Sequence, residues 1–190
     1  RSKPLYTTAT TGLYPDTLFD GRDTFKPGKI PTDARRQDYL AQIWQPYHQR
    51  IQSELARIKQ RFGYALLFDA HSIASVIPRL FDGQLPDLNL GTNNGASCSA
   101  ALSDVLTGIC QQQSRFSHVL NGRFKGGYIT RAYGQPDADI HAVQLELAQV
   151  NYMDETPPYA WSETRAPALQ SLLQQLLEGV LAWGSEQYRK

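Results

Sequence analysis

The sequence predicts an α/β fold in which a mixed β-sheet is flanked by helices on both faces. Three observations carry that reading. Residues 64–69, YALLFD, form the short apolar run of a buried strand. Residues 141–149, HAVQLELAQ, alternate Val143, Leu145 and Leu147 with Gln144 and Glu146, the period of two of an extended chain. Around these runs, apolar residues recur every three or four positions, as on one face of a helix. Strands interleaved with helices indicate a layered α/β domain.

The elements follow in order. Residues 1–32 are rich in Thr, Pro, Gly and Asp without a sustained period, and read as a loop. Loops of that length in compact domains often carry function. Asp33 is a candidate cap for a helix reaching about Arg61, with Leu40, Ile43, Trp44, Tyr47, Ile51, Leu55 and Ile58 on one face. Pro46 should kink that helix and Gly63 should end it. The strand at 64–69 runs out at Asp69-Ala70-His71-Ser72. Residues 82–97, heavy in Gly, Asn and Asp, read as a second loop. A helix near 99–113 carries Leu102, Val105, Leu106 and Ile109 on one face, and SHVLN at 117–121 reads as a strand. A third polar, Gly-rich loop precedes the strand at 141–149. The tail from about Ser162 to Gln187 reads as an amphipathic helix.

Composition narrows the function. The chain of 190 residues fits one domain, residues 1–190, with a sizeable core. Its net charge of +1, without a basic block, argues against a nucleic-acid partner, which would need clustered cations to displace counterions. No apolar run approaches the roughly 18 residues of a membrane span. Cys98 and Cys110 fit neither a metal-finger spacing nor a dense disulfide framework, so a reduced cytoplasmic setting is expected. The one methionine is Met153 and the chain starts at Arg1, so a natural N-terminal segment is expected upstream.

In α/β sheets, sites form where loops leave the carboxyl ends of strands. His71 lies there. It is either a zinc ligand held by rigid backbone or a structural histidine bonded to a nearby carbonyl. Glu146 sits mid-strand in an apolar segment. If buried, it must be paired or functional, because a lone buried carboxylate costs several kcal/mol. If its face is solvated, it is an ordinary surface glutamate, and the alternation fits both. Arg123, Lys125 and Arg131 bracket a Gly-Gly-Tyr turn, Arg79 follows the His71 segment, and Arg1 opens the chain. Surface exposure is the default for such cations, yet this set would suit capture of carboxylates, with Tyr128 as an added donor. His48 reads as packing or capping, and His118 and His141 as core or edge residues.

Read together, TGLYPDTLFDG (11–21), PYH (46–48), LLFDAHSIASVIPRLFDGQLPDLNLGT (66–92), LNGRFKGGYITRAYG (120–134) and HAVQLELAQVNYMDETPPY (141–159) resemble N-formylglutamate deformylases over nearly the whole chain. That family looks related to zinc carboxypeptidases and aspartoacylase-type deacylases, which implies a zinc-carboxypeptidase-like sheet and one catalytic Zn2+. By this resemblance the His71-Ser72 pair matches the second metal-binding histidine, Glu146 the catalytic glutamate and Tyr128 a mobile substrate-contacting tyrosine. Arg1 matches the last residue of an Asp-x-Asn-Arg motif that grips a substrate carboxylate. The first metal-binding motifs, near a Pro-His-Ser-Gly segment, are expected upstream of Arg1.

The resemblance implies a metal-dependent amidohydrolase that cuts N-formyl-L-glutamate to formate and L-glutamate in histidine degradation. The substrate would be a small dicarboxylate, bound through Arg131, Arg1, Arg79 and Lys125. Two alternatives stand beside it: a deacylase of another N-acyl amino acid or a metallopeptidase, and a non-catalytic carboxylate-binding fragment.

Overall fold

In the computed structural model, residues 12–189 are described, and Arg1 lies outside them. Helix α1 spans Asp33–Tyr39 and α2 spans Gln45–Phe62, with strand β1 at Ala65–Ile73 and β2 at Leu88–Gly91. Helix α3 (Ala100–Gln111), β3 (His118–Leu120), α4 (Tyr128–Tyr133), β4 (Ile140–Ala148) and α5 (Ala166–Gln187) complete the order. The four strands form one mixed sheet in the order β1-β4-β2-β3. β1 runs parallel to β4 and β2 parallel to β3, while β2 and β4 are antiparallel.

The sheet is covered on both faces. On one, Leu88, Leu90, Val143 and Leu145 pack with Leu102 and Leu106 of α3 and with Leu169, Leu172 and Leu176 of α5 in the main core. On the other, Ala65 of β1 packs with Leu55 of α2 and Tyr133 of α4. Both Cys98 and Cys110 are buried free thiols. Among the described residues, no helix is long and apolar enough to cross a membrane.

Several boundaries differ from the sequence reading, each for a local reason. Thr32, not Asp33, caps the first helix, its side chain accepting from the Arg35 N–H. The helical run continues past Pro46 to Phe62. Pro46 occupies the first turn of α2, where its missing N–H costs least. A π-helical turn, Leu40–Trp44, precedes it, and the Gln45 N–H reaches back five residues to the Leu40 carbonyl. β1 continues through His71 to Ile73 because β4 supplies a partner for each residue from Ala65 to Ile73. β2 lies inside the segment read as a loop, and α4 inside the third loop. The tail helix starts at Ala166, with Pro167 in its first turn.

His141 is a core residue, as read. The Ser99 N–H donates to Nδ1 at 3.1 Å, and Nε2 lies 2.8 Å from the Tyr188 hydroxyl, which donates to Asp139. One tautomer satisfies all three bonds: neutral imidazole with its proton on Nε2. A second proton on Nδ1 would face the Ser99 N–H. Burial lowers the His141 pKa below 6.5, and Asp139 opposes this only in part. The unfolded chain therefore takes up more protons than the folded one as pH falls. This group's contribution to stability is complete above about pH 6.5 and is lost as pH falls through the folded pKa. The expected result is a melting temperature that drops between pH 7.5 and 5, with the drop smaller in His141→Gln. At pH 7.5 that variant should cost about 1–3 kcal/mol, the penalty for unpaired buried polar groups. An equal pH slope in parent and variant would remove His141 as the cause.

Candidate active site

Register decides which side chains share a face. Asp69 of β1 lies beside Gln144 of β4, and His71 lies beside Glu146. On the other flank of β4, Asn89 of β2 is opposite Glu146 and Gly91 opposite Gln144. Paired positions in neighbouring strands project to the same side, so the side chains of Asp69, His71, Asn89, Gln144 and Glu146 gather on one face. It is the face that also carries Ala65 and Leu67, toward α2 and α4.

Glu146 is buried, with 7% of its surface exposed, and the choice left open by the alternation falls to burial. Its Oε2 accepts from Gln144 Nε2 at 3.2 Å. Burial pushes its carboxyl up to about 7, Asp69 adds to that, and His71 and the Gln144 bond oppose it. A carboxyl poised near neutrality can take and return a proton at working pH. His71 is half-exposed and its Nε2 lies 2.9 Å from Asp69 Oδ1. The hydrogen bond that His71 donates to Asp69 raises the His71 pKa, against the effect of burial.

Above this face lies a cleft of about 730 Å³ whose walls include Asp69, His71, Trp44, Tyr47, Tyr128 and Arg131. Glu146 is not on the wall; the register sets it beside His71, which is. Tyr128 and Arg131 come from α4, which begins after Gly126-Gly127. Gly126 has φ +110°, a conformation open to glycine, and a Cβ on Gly91 would stand 2.5 Å from the Gly126 nitrogen. The two glycines let this loop lie directly on β2. Tyr128 stands edge-on to His48 at 5.1 Å and beside Trp44 at 5.6 Å. His48 is buried, its Nδ1 2.5 Å from the Tyr133 hydroxyl, so it joins α2 to α4.

The structure sets His71, Tyr128 and Arg131 on the cleft, with Glu146 buried beside His71. Arg79 is exposed, its guanidinium donating to the Leu18 carbonyl at 3.0 Å, and neither it nor Lys125 lines the cleft. Arg123 donates to the Leu80 carbonyl. Sequence reasoning missed Gln144 and the wall made by Trp44 and Tyr47. The latter has a signal in the helical spacing of Trp44 and Tyr47, which marks an apolar helix face but not what covers it.

Residues 1–153 match the family described as N-formylglutamate amidohydrolase. The chain belongs to that family. It is 60% identical over 186 residues to an N-formylglutamate deformylase of Pseudomonas aeruginosa, covering 98% of this chain and 70% of that protein. It is 58% identical over 188 residues to an N-formylglutamate deformylase of Pseudomonas putida, covering 99% of this chain and 70% of that protein. A crystal structure of an N-formylglutamate amidohydrolase from Ralstonia eutropha JMP134 shares the fold, with TM-score 0.69 at 23% identity. That likeness covers 85% of this chain and 58% of the crystallised one. The mixed sheet between helices is thus the fold of this amidohydrolase family.

One question for the family member concerns a metal. A metal-bound histidine usually gives its other ring nitrogen to a carboxylate, and Asp69 holds Nε2 in that way, which leaves Nδ1 for a metal. The His71–Asp69 pair therefore fits one ligand with its supporting carboxylate. Among the described residues, no group of three His, Cys, Asp or Glu is arranged to hold an ion.

Proposed function

We propose that this chain hydrolyses the formamide bond of N-formyl-L-glutamate, giving formate and L-glutamate, with Glu146 as general base and acid. The observation that carries it is a buried carboxyl raised to about 7, in register with His71, under a cleft that also takes Tyr128 and Arg131. Identity of 60% to a protein named for this activity supports the substrate. Glu146 takes a proton from the attacking water as its oxygen adds to the formyl carbon. It then gives that proton to the departing amine as the C–N bond breaks. Arg131 and Tyr128 hold the carboxylates of the dianionic substrate through charge-assisted bonds. Apolar side chains such as Trp44 and Tyr47 on the cleft wall would lower the local polarity and strengthen those contacts.

The proposed cofactor is one zinc ion, with His71 as a ligand and further ligands from outside residues 12–189. When bound, zinc would polarise the formyl carbonyl and acidify the water. The longer relatives, of which this chain spans 70%, leave room for such ligands. A cytoplasmic setting in histidine breakdown is part of the same proposal, resting on the free thiols and the relatives' substrate.

Turnover of N-formylglutamate, N-acetylglutamate and N-formylaspartate by the full-length protein tests the reading. The formyl dicarboxylate with the longer side chain should give the highest kcat/KM. A preference for the acetyl compound would move the reading to another acylamino acid. Arg131→Ala should raise KM about 10- to 100-fold with a smaller change in kcat, the size of one lost charge-assisted contact. An unchanged KM would assign the carboxylate grip to other cations.

A further inference from the structure

Gln144 lies two residues before Glu146 on the same face of β4 and is 5% exposed. Both ends of its side-chain amide are engaged. Oε1 accepts from the Gly127 backbone N–H at 2.5 Å, and Nε2 donates to Glu146 Oε2 at 3.2 Å. A backbone N–H can only donate, so the amide has one possible orientation: oxygen toward Gly127, nitrogen toward Glu146. Glu146 Oε2 is thereby held as an acceptor toward Gln144 Nε2.

Gly127 is the residue before α4. Its carbonyl accepts from both the backbone N–H and the Nε of Arg131, each at 3.2 Å. A Cβ on Gly127 would stand 3.2 Å from Gln144 Oε1, a tight contact that would push the amide back by a few tenths of an ångström. One amide thus connects the carboxyl at the sheet with the segment that carries Tyr128 and Arg131. Packing alone would be served by an apolar side chain, as Ala142 on the same face illustrates with no exposed surface. A buried amide costs stability unless both ends are bonded, and here both are.

We infer that Gln144 is a positioning residue that sets Glu146 and the Tyr128–Arg131 segment in register for one substrate. The inference rests on the reading of Glu146 as the general base. Reaction at the formyl carbon requires the base and the carboxylate grip at fixed separation, and a shift near 1 Å can cost about 100-fold in rate. Gln144 spans that separation without touching substrate.

Two substitutions in the full-length, metal-loaded protein separate its two bonds. Gln144→Glu keeps an acceptor for Gly127 but turns a carboxyl oxygen toward Glu146. It should lower kcat about tenfold or more while KM stays within about threefold. Gln144→Leu removes both bonds. It should lower kcat and also raise KM about fivefold or more, as the α4 segment loses its anchor. Hydrogen exchange at the Gly127 amide should speed up in Gln144→Leu and stay near the parent rate in Gln144→Glu. Equal effects of the two variants on kcat and KM, or a lower melting temperature with kinetics unchanged, would overturn the inference. A parent without N-formylglutamate turnover would overturn the reading of Glu146 and the kinetic half of this inference with it. The Gly127 exchange rates would still decide whether the tether exists.

Discussion

Glu146→Gln is expected to lower kcat by about 10²–10⁴-fold, the usual contribution of a general base, while N-formylglutamate affinity changes little. The substitution keeps the size and shape of the side chain. Its amide oxygen can still accept from Gln144 Nε2, so the bond at 3.2 Å survives and the loop at Gly127 keeps its anchor. The loss is confined to proton transfer. A carboxyl that burial raises to about 7 can act as base toward water and as acid toward the leaving amine, the role proposed for Glu146. An amide does neither. Binding measured by calorimetry, with single-turnover kinetics on the same samples, separates the two effects. Activity within twofold of the parent would sink the assignment of Glu146. A loss of binding equal to the loss of rate would instead make it a structural acid beneath the cleft.

How far this site was legible in the sequence depends on which signals were local. The apolar run before Asp69 and the alternation at 141–149 are properties of single strands, and both appear as β1 and β4. Whether Glu146 was buried was not legible. Its period of two fits a solvated face as well as a covered one, and only α2 and α4 packing on that side decide it. β2 escaped because LNLG is four residues long and sits among Asn, Gly and Asp, whose turn preferences outweigh so short a run. It is held in place by β4 and β3, partners far along the chain. α4 escaped for a similar reason: six residues after two glycines give no helical period to read. Gln144 looked like the polar half of an alternation. Its meaning lies in contacts to Gly127 and Glu146 that only the folded register creates. The family resemblance supplied His71, Glu146 and Tyr128 as a set because it compares whole segments, which local periodicity does not.

His71→Ala is expected to remove the metal from the full-length protein, which should hold about one zinc per chain in the parent form. A catalytic zinc takes about three protein ligands and keeps a position open, so the loss of one ligand lowers affinity steeply. Asp69 lies 2.9 Å from His71 Nε2, and as a supporting carboxylate for the proposed ligand it would fix the ring's orientation and strengthen Nδ1 as a donor. Asp69→Ala should therefore weaken zinc by about 10–100-fold without removing a ligand. The same carboxylate raises the affinity of His71 for a proton. Since only the neutral ring binds metal, zinc affinity should fall as pH drops through the His71 pKa, with proton release on binding. Among the described residues, no second and third ligand join His71, so the chain beginning at Arg1 should bind zinc weakly and turn over slowly. Metal analysis of four samples, together with their melting temperatures with and without added zinc, tests this directly. The samples are the full-length protein, its His71→Ala and Asp69→Ala forms, and the chain beginning at Arg1. Stoichiometric zinc in the last of these would require a ligand set within this chain, with Asp69 and His48 first to be examined. Zinc retained at parent affinity in His71→Ala would make the His71–Asp69 pair a structural bond at the edge of the cleft, and the metal would have to be sought on other residues.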